Sequence, residues 1–336
     1  MNLLIQRVEN FTIKYLTKRK AIKIYSKENP IKRTFWGEVR GWVDALVFAV
    51  IVILILNQYI FQLFVIPTPS MEKTMLIKDR VFVNKNVYGL EVWPTGPKLG
   101  STNRVVTRDN IITFYNPEYE TKGPLFDIAA QMLFSATFSL VQIDKNEDGT
   151  PAERLYVKRA AAMNNDTVVF KDGNVSIRVS GSEEFINEID FRADNNLSLG
   201  PNRQIDQSYY SPLKAWASLV AYRDKGLNNS VYTPSSYLNE YKKLENSNYP
   251  RDMYQFMNTK YYTEHRIDPS DFNSRSNYHS YKNGITVPER HVLPLGDNRD
   301  NSHDGRYFGP VSQDNINGRV FFRFWPLNRI GYLGNQ

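Results

Sequence analysis

The sequence predicts a mainly β protein: an antiparallel β-rich body with an inserted mixed α/β lobe, preceded by one transmembrane helix. Three observations carry this. No residue from Ala45 to Met71 is charged. Within that run Ala45–Ile66 is apolar over 22 residues, about 33 Å as a helix and enough to cross a bilayer core. Beyond it, short alternating or β-branched runs are separated by turn residues. Between residues 180 and 285 the composition shifts to Asn, Ser and Tyr with few long apolar runs, which marks the inserted lobe.

The first 40 residues carry ten Lys and Arg against three Glu, so the whole formal charge of +7 lies in this arm and the rest of the chain is neutral. A neutral body excludes a protein that coats nucleic acid, because phosphate binding needs a basic face on the folded part. A basic arm before an apolar span stays in the cytoplasm by the positive-inside rule. We therefore expect an arm at 1–41, an anchor at 42–66 and an exported body at 67–336. A cleaved signal peptide fits poorly, since the arm is long and Ile66-Pro67-Thr68-Pro69 is no small-residue cleavage site. A buried core helix seldom uses so many consecutive apolar residues. Trp42 and Tyr59 suit the two interfaces, and the polar Asn57, Gln58 and Gln62 suit the headgroup zone or a partner helix. Leu4, Val8, Phe11 and Tyr15 recur at helical spacing, which fits an amphipathic helix on the inner leaflet or a merely basic tail.

In the exported part, Asp79–Lys85 alternates apolar and polar residues and reads as a strand. Asn110–Tyr115 and Leu155–Val157 read likewise. Thr167–Val179 holds two short β runs around Asp172-Gly173-Asn174, a tight-hairpin signal. Gly318–Pro326 gives a last strand. Residues 118–152 form a connection with its own apolar run, Phe126–Val141, and Leu213–Tyr222 suits a helix inside the lobe.

Cysteine is absent, which excludes disulfide frameworks, Cys-zinc sites and thiol nucleophiles. Hydrolysing an amide needs a nucleophile, a base and something to hold the oxyanion. There are four histidines, His265, His279, His291 and His303, and no serine in a G-x-S-x-G setting. A Ser-Lys pair is the alternative, and it needs a neutral lysine. Desolvation lowers a lysine pKa, at about 3–4 kcal/mol for a drop of ~2–3 units. Lys158 follows Leu155-Tyr156-Val157 and precedes Arg159 and the run Ala160–Met163, a setting that suits a buried amine.

Four stretches stand out in order: Pro67-Thr68-Pro69-Ser70-Met71, Asp79–Val83, Tyr156-Val157-Lys158-Arg159 and Gly296-Asp297-Asn298-Arg299-Asp300-Asn301-Ser302-His303-Asp304-Gly305-Arg306. The chain thereby resembles the type I signal peptidases, membrane-bound Ser-Lys endopeptidases that remove signal peptides. The last stretch is the most specific. The resemblance implies Ser70 as nucleophile and Lys158 as general base. It implies that the Ser70 N–H and the Thr68 hydroxyl hold the oxyanion and that Ser302 orients the base. Arg159 with Asp297, and Asp304 with Arg306, match supporting ion pairs. No cofactor or metal is implied. The implied partners are secretory preproteins with Ala-x-Ala cleavage sites and the lipid bilayer, beside the export translocon. The implied location is the inner (cytoplasmic) membrane, single-pass, with the catalytic body on the outer side. Ser70 lies four residues past Ile66, which places it near the outer surface. Three positions depart from the family pattern: Lys73 for Pro, Gly305 for Ser, and Met163–Asp166 for a Gly-rich turn.

Two other readings of these motifs are weaker. Ser70-Met71-Glu72-Lys73 also fits the S-x-x-K of penicillin-binding proteins, but S-D-N and K-T-G do not occur. Asp144–Gly149 and Asp300–Gly305 imitate calcium loops, yet position twelve is Leu155 and Val311, not Glu. The first is left as a hydrated turn or a weak surface ion site. The rival from another class is a silent, anchored binding protein that kept the fold.

Overall fold

The computed structural model describes residues 13–25, 34–93, 96–100, 106–137, 141–147, 149–198, 201, 203, 205–227, 234–245 and 252–333. The chain divides into two compact units, Met1–Val52 and Ile53–Gln336. The first contains a helix at residues 13–25 (α1) and the start of α2, Phe35–Tyr59. Leu4, Val8 and Phe11 of the proposed amphipathic face lie outside the described residues.

Helix α2 has 25 residues, none of them buried. It is long and apolar enough to cross a membrane. It ends at Tyr59, seven residues short of the expected Ile66, because Phe61–Val65 forms a strand instead. An apolar run that is a helix in its first part and a strand in its last shows no break in composition. The break appears in pairing: Phe61↔Asn84 through Val65↔Arg80 join the two strands antiparallel. Two side chains at the helix end bond to the backbone of the segment after the second strand. Gln58 Nε2 donates to the Glu91 carbonyl at 3.3 Å and the Tyr59 hydroxyl to that of Val92 at 3.2 Å.

The main sheet is antiparallel and curls into a half-barrel. Its strands are β1 (Phe61–Val65), β2 (Arg80–Asn84), β5 (Ile111–Tyr115), β6 (Leu155–Ala162), β11 (His291–Leu295), β12 (Val311–Ser312), β13 (Ile316–Trp325) and β14 (Gly331–Tyr332). They run in the order β1-β2-β13-β5-β6-β11-β12, with β14 on β13. Strands β3 (Leu90–Glu91) and β4 (Lys98–Leu99) form a small separate pair. The expected strands at Asp79–Lys85, Asn110–Tyr115 and Gly318–Pro326 are β2, β5 and β13. Strand β6 runs five residues past the expected Val157. It is central, between β5 and β11, and buried on both faces from Val157 onward. Strands buried on both sides lose their alternation, which is why Arg159–Ala162 did not read as strand.

A second sheet orders β10 (Ile285–Thr286), β7 (Thr167–Lys171), β8 (Asn174–Arg178) and β9 (Ile186–Asn187). Asp172 and Gly173 join β7 to β8 with φ of 49° and 77°, the pair of left-handed residues that a two-residue hairpin turn requires. The apolar run after residue 118 forms α3 (Pro124–Ala136). The lobe is mostly helical: α4 (Glu188–Asp194), α5 (Tyr210–Asp224), α6 (Ser235–Glu245), α7 (Met253–Ile267) and α8 (Phe272–Asn283). The expected helix at Leu213–Tyr222 is the centre of α5. Leu213, Ala217, Leu244 and Phe256 give the lobe its own apolar core. Under β5 and β6, Ile112, Phe114, Ala160, Val292 and Ile316 form another.

Phe114 is fully buried in that second core. Phe114→Ala is expected to destabilise the folded body by about 3–5 kcal/mol, measured as a lowered urea midpoint.

Candidate active site

The turn after β1 positions Ser70. Pro69 opens a one-turn 3-10 helix, Pro69–Met71, and Thr68 precedes it in extended conformation. Proline suits this place because its fixed φ matches a first helical position. The Thr68 hydroxyl does not cap the turn. It lies 3.3 Å from Ser70 Oγ. Met71 and Met75 anchor the turn in a core with Val81, Val83, Ile111 and Val157.

Strand β6 supplies the partner. Lys158 Nζ lies 2.7 Å from Ser70 Oγ and donates to it. Lys158 is 4 % exposed and Ser70 7 %. Burial pushes the Lys158 amine down to about 8, opposed by the Asp304 and Glu153 charges. A shift of that size costs about 3 kcal/mol, and the fold must supply it. At pH 7 about one amine in ten is then neutral, against fewer than one in a thousand for an ordinary lysine.

Adjacent residues on a strand point to opposite faces, so Arg159 faces away from Ser70. It grips Asp297 with two bonds, Nε to Oδ1 at 2.7 Å and Nη2 to Oδ2 at 2.6 Å. Thr74 Oγ1 donates to the same carboxylate at 2.5 Å. Burial opposes ionisation of Asp297, but the Arg159 bonds outweigh it and hold the carboxyl below its usual range.

The segment from Gly296 to Arg306 closes over the Ser70 turn. The Asn298 N–H donates to the Ser70 carbonyl at 3.0 Å. The Asn298 amide donates to the Pro69 carbonyl at 3.2 Å and to Glu72 Oε2 at 2.9 Å. Asp304 is completely buried, accepts from the Gly296 N–H at 2.9 Å and from Arg306 Nε at 2.9 Å, and caps α9 (Gly305–Phe308). Burial works against its charge, yet Arg306 holds its carboxyl low. Ser302 is buried, and among the described residues its hydroxyl has no hydrogen-bond partner. It packs instead against Gly296. A Cβ at 296 would fall 2.1 Å from Ser302 Oγ and 2.6 Å from the Ser70 carbonyl oxygen. Glycine is required there by close approach.

Four further charged residues join this site: Arg299, from the Gly296–Arg306 stretch but with no role expected for it, and Asp109, Glu188 and Arg192, which no motif marks. Asp109 pairs with Arg159 Nη1 at 3.2 Å and also with Arg192 of α4. Arg192 reaches Glu188, one turn earlier, at 3.5 Å. Glu188 binds both terminal nitrogens of Arg299, with Nη2 at 2.7 Å. Arg299 Nε donates to the Gly296 carbonyl at 2.9 Å. Arg299 lies two residues from Asp297, and its backbone N–H donates to the Asp297 carbonyl at 3.1 Å, so the series of ion pairs is closed through the backbone. Arg159, Asp109, Arg192, Glu188, Arg299 and Asp297 form a buried ring of alternating sign, none more than 5 % exposed. The signal available for Asp109 was weak: it has φ of 72°, and Asp is among the few non-glycine residues that tolerate this conformation.

Lys73 is exposed with φ of 75°, in a turn and not on a helix, and it is Lys158 that reaches Ser70 Oγ. The calcium-like loops have their carboxylates taken up by cations. Asp144 binds Lys122, Arg154 and the Tyr119 hydroxyl, while Asp148 lies outside the described residues. Asp300 pairs with Arg203 at 2.6 Å and Asp304 with Arg306. Among the described residues no cluster of acidic or histidine side chains could hold a metal ion. A cleft of 1370 Å³ is lined by Gln62–Val65 and Pro67, by α3 residues and by Leu155 and Tyr156, so it reaches the strand residues next in sequence to the Ser70 turn and to Lys158.

The family model described as "Signal peptidase, peptidase S26" matches residues 39–214 and 219–325. The chain belongs to that family. It is 23 % identical over 292 residues to signal peptidase I of Aquifex aeolicus, covering 85 % of this chain and 84 % of that protein. It is 24 % identical over 300 residues to signal peptidase I of Buchnera aphidicola, covering 84 % and 77 %. A stretch of 48 residues is 54 % identical to signal peptidase I of Leptolyngbya laminosa, and that alignment spans 24 % of the cyanobacterial protein's length.

Gly296→Ala is expected to cost 1–3 kcal/mol by overpacking, about the usual figure, and to displace the Ser70 turn. The readout is thermal unfolding alongside the rate at which a serine-directed acylating probe labels Ser70.

Proposed function

We propose that the protein is a membrane-bound serine endopeptidase that removes N-terminal signal peptides from exported preproteins by a Ser-Lys dyad. The observation that carries this is the 2.7 Å approach of a buried, neutralisable Lys158 amine to Ser70 Oγ. The family membership supports the reaction class.

In the proposed mechanism neutral Lys158 takes the Ser70 proton as Oγ attacks the scissile carbonyl carbon. The developing oxyanion is held by the Ser70 N–H and the Thr68 hydroxyl. Helix-leading N–H groups have no partner within their own turn, and the Thr68 hydroxyl is not spent on capping. The Lys158 ammonium then gives its proton to the departing amine. Lys158 next takes a proton from a water as that water attacks the acyl-serine ester, and its ammonium passes the proton to Ser70 Oγ as the ester C–O bond breaks. Arg159, Asp297, Asp304 and Arg306 keep the two reacting groups in place, and Ser302 fills the space behind them.

The substrate is an extended strand lying in the cleft. Strand β1 is at the sheet edge, and β11 pairs β6 only at Arg159–Ala162, leaving Leu155–Val157 open on that side. Two open edges facing one cleft suit β-augmentation by a peptide between them. Small pockets there would select the Ala-x-Ala pattern of secretory preproteins. We place α2 in the cytoplasmic membrane, the basic arm in the cytoplasm and the body, residues 67–336, on the outer side near the export translocon. Ser70 follows the end of α2 by eleven residues, a short reach from the bilayer.

Detergent-solubilised protein is expected to cleave a secretory precursor, and Lys73→Ala to cleave it equally. Ser70→Ala and Lys158→Ala are expected to lose activity by about 10³-fold or more. Cleavage by Lys158→Ala would reject the base assignment, and a silent wild type would favour a binding protein. Because the deprotonated amine is the working form, kcat should rise about tenfold per pH unit below a midpoint near 8 and level off above it.

A further inference from the structure

The ring of six alternating charges has an unusual composition. Arg159 and Asp297 flank the Ser70–Lys158 pair, but Glu188 and Arg192 belong to α4 of the inserted lobe. Asp109 joins the two sets from the turn before β5. The lobe segment adds a backbone contact as well, since the Ser198 N–H donates to Asp109 Oδ2 at 3.1 Å and Arg192 Nε to the Ser198 carbonyl at 2.5 Å. Every link is buried, and the three cations balance the three anions.

We infer that Glu188 and Arg192 are positioning residues for peptide-bond cleavage, so that the inserted lobe is part of the catalytic apparatus. The path is short. Glu188 fixes the Arg299 guanidinium, and Arg299 fixes the Gly296 carbonyl. Gly296 in turn lies against the Ser70 carbonyl, which the Asn298 N–H also holds. On the other branch Arg192 fixes Asp109, which shares Arg159 with Asp297. The two branches meet on the segment Gly296–Arg299, which bonds to the Ser70 turn, so a displaced α4 shifts that turn against Lys158 and opens the amine to water. Substrate lies in the cleft between β1 and β6 and does not depend on these links. The inference rests on the dyad reading of Ser70 and Lys158.

Removing one member of a buried pair leaves an unpaired charge and can unfold the protein. The test therefore uses the double variant Glu188→Leu with Arg299→Leu, which removes one anion and one cation together and leaves the buried set neutral. Its thermal midpoint is expected to stay near that of the wild type. Its kcat on a secretory precursor is expected to fall roughly 100-fold, the scale of a misplacement of about 1 Å, with KM unchanged. A second variant, Arg192→Leu with Asp109→Asn, tests the other branch and should act the same way. The decisive readout is independent of turnover: the titration of the Lys158 amine by NMR of protein labelled with ¹³C-lysine, assigned with Lys158→Ala. With that turn shifted, water reaches the amine and its midpoint should move up toward the ordinary lysine value. A wild-type midpoint and wild-type kcat in both folded variants would overturn the inference. If the wild type cleaves no precursor, the dyad reading fails, and the lysine titration still decides whether the lobe shapes the pocket.

Discussion

The structure turns on one constraint: a lysine amine must be kept dry beside a serine hydroxyl. Water would return the amine to its ordinary protonated state, so each layer around Lys158 can be read as a way of excluding water. Strand β6 is central and buried on both faces. The turn carrying Ser70 is pinned by two buried methionines. The segment from Gly296 to Arg306 closes the remaining side, and it does so at backbone distance because residue 296 has no side chain. About 3 kcal/mol of unfavourable lysine burial is set against packing and bonds that do not involve the amine itself.

Charge does the holding, and it does so at some distance from the reacting atoms. Arg159 meets Asp297 and Asp109, and Arg306 meets Asp304. Buried ion pairs contribute little net stability when compared with well-packed apolar groups. What they supply is direction, because a two-pronged guanidinium accepts a carboxylate in few orientations. Asp304 serves a second purpose, as its negative charge acts on Lys158 against the effect of burial. The amine is thus tuned between two opposed influences, and a Ser-Lys pair needs an intermediate value.

Much of this was legible in the sequence, and the failures have physical reasons. The motif stretches contain Ser70 and Lys158, which the fold brings together, and both ion pairs, Arg159 with Asp297 and Asp304 with Arg306, because side chains held by short turns leave compact local signatures. The hairpin at Asp172-Gly173 was legible because left-handed turn positions admit few residues. The anchor boundary was not, since an apolar strand directly following an apolar helix leaves no compositional edge. The last five of the eight residues of β6 are not legible as strand because alternation vanishes in a strand covered on both sides. Glu188, Arg192 and Asp109, and the part that Arg299 of the motif stretch plays with them, are not legible for a different reason. Partners of a buried ring are scattered from residue 109 to residue 299, and nothing local marks a charged side chain as destined for the interior.

Lys158 and Arg159 are neighbours on β6, one turned toward Ser70 and the other toward Asp297 and Asp109. Strand geometry makes the two faces exchange places if the chain is lengthened or shortened by one residue. Such an indel would bring a guanidinium, which stays protonated in proteins, to the Ser70 hydroxyl and leave an amine to hold the carboxylates. Insertions and deletions within this strand should therefore be purged during evolution, whereas length changes in the lobe beyond Ser198 leave both its register and the links from α4 in place.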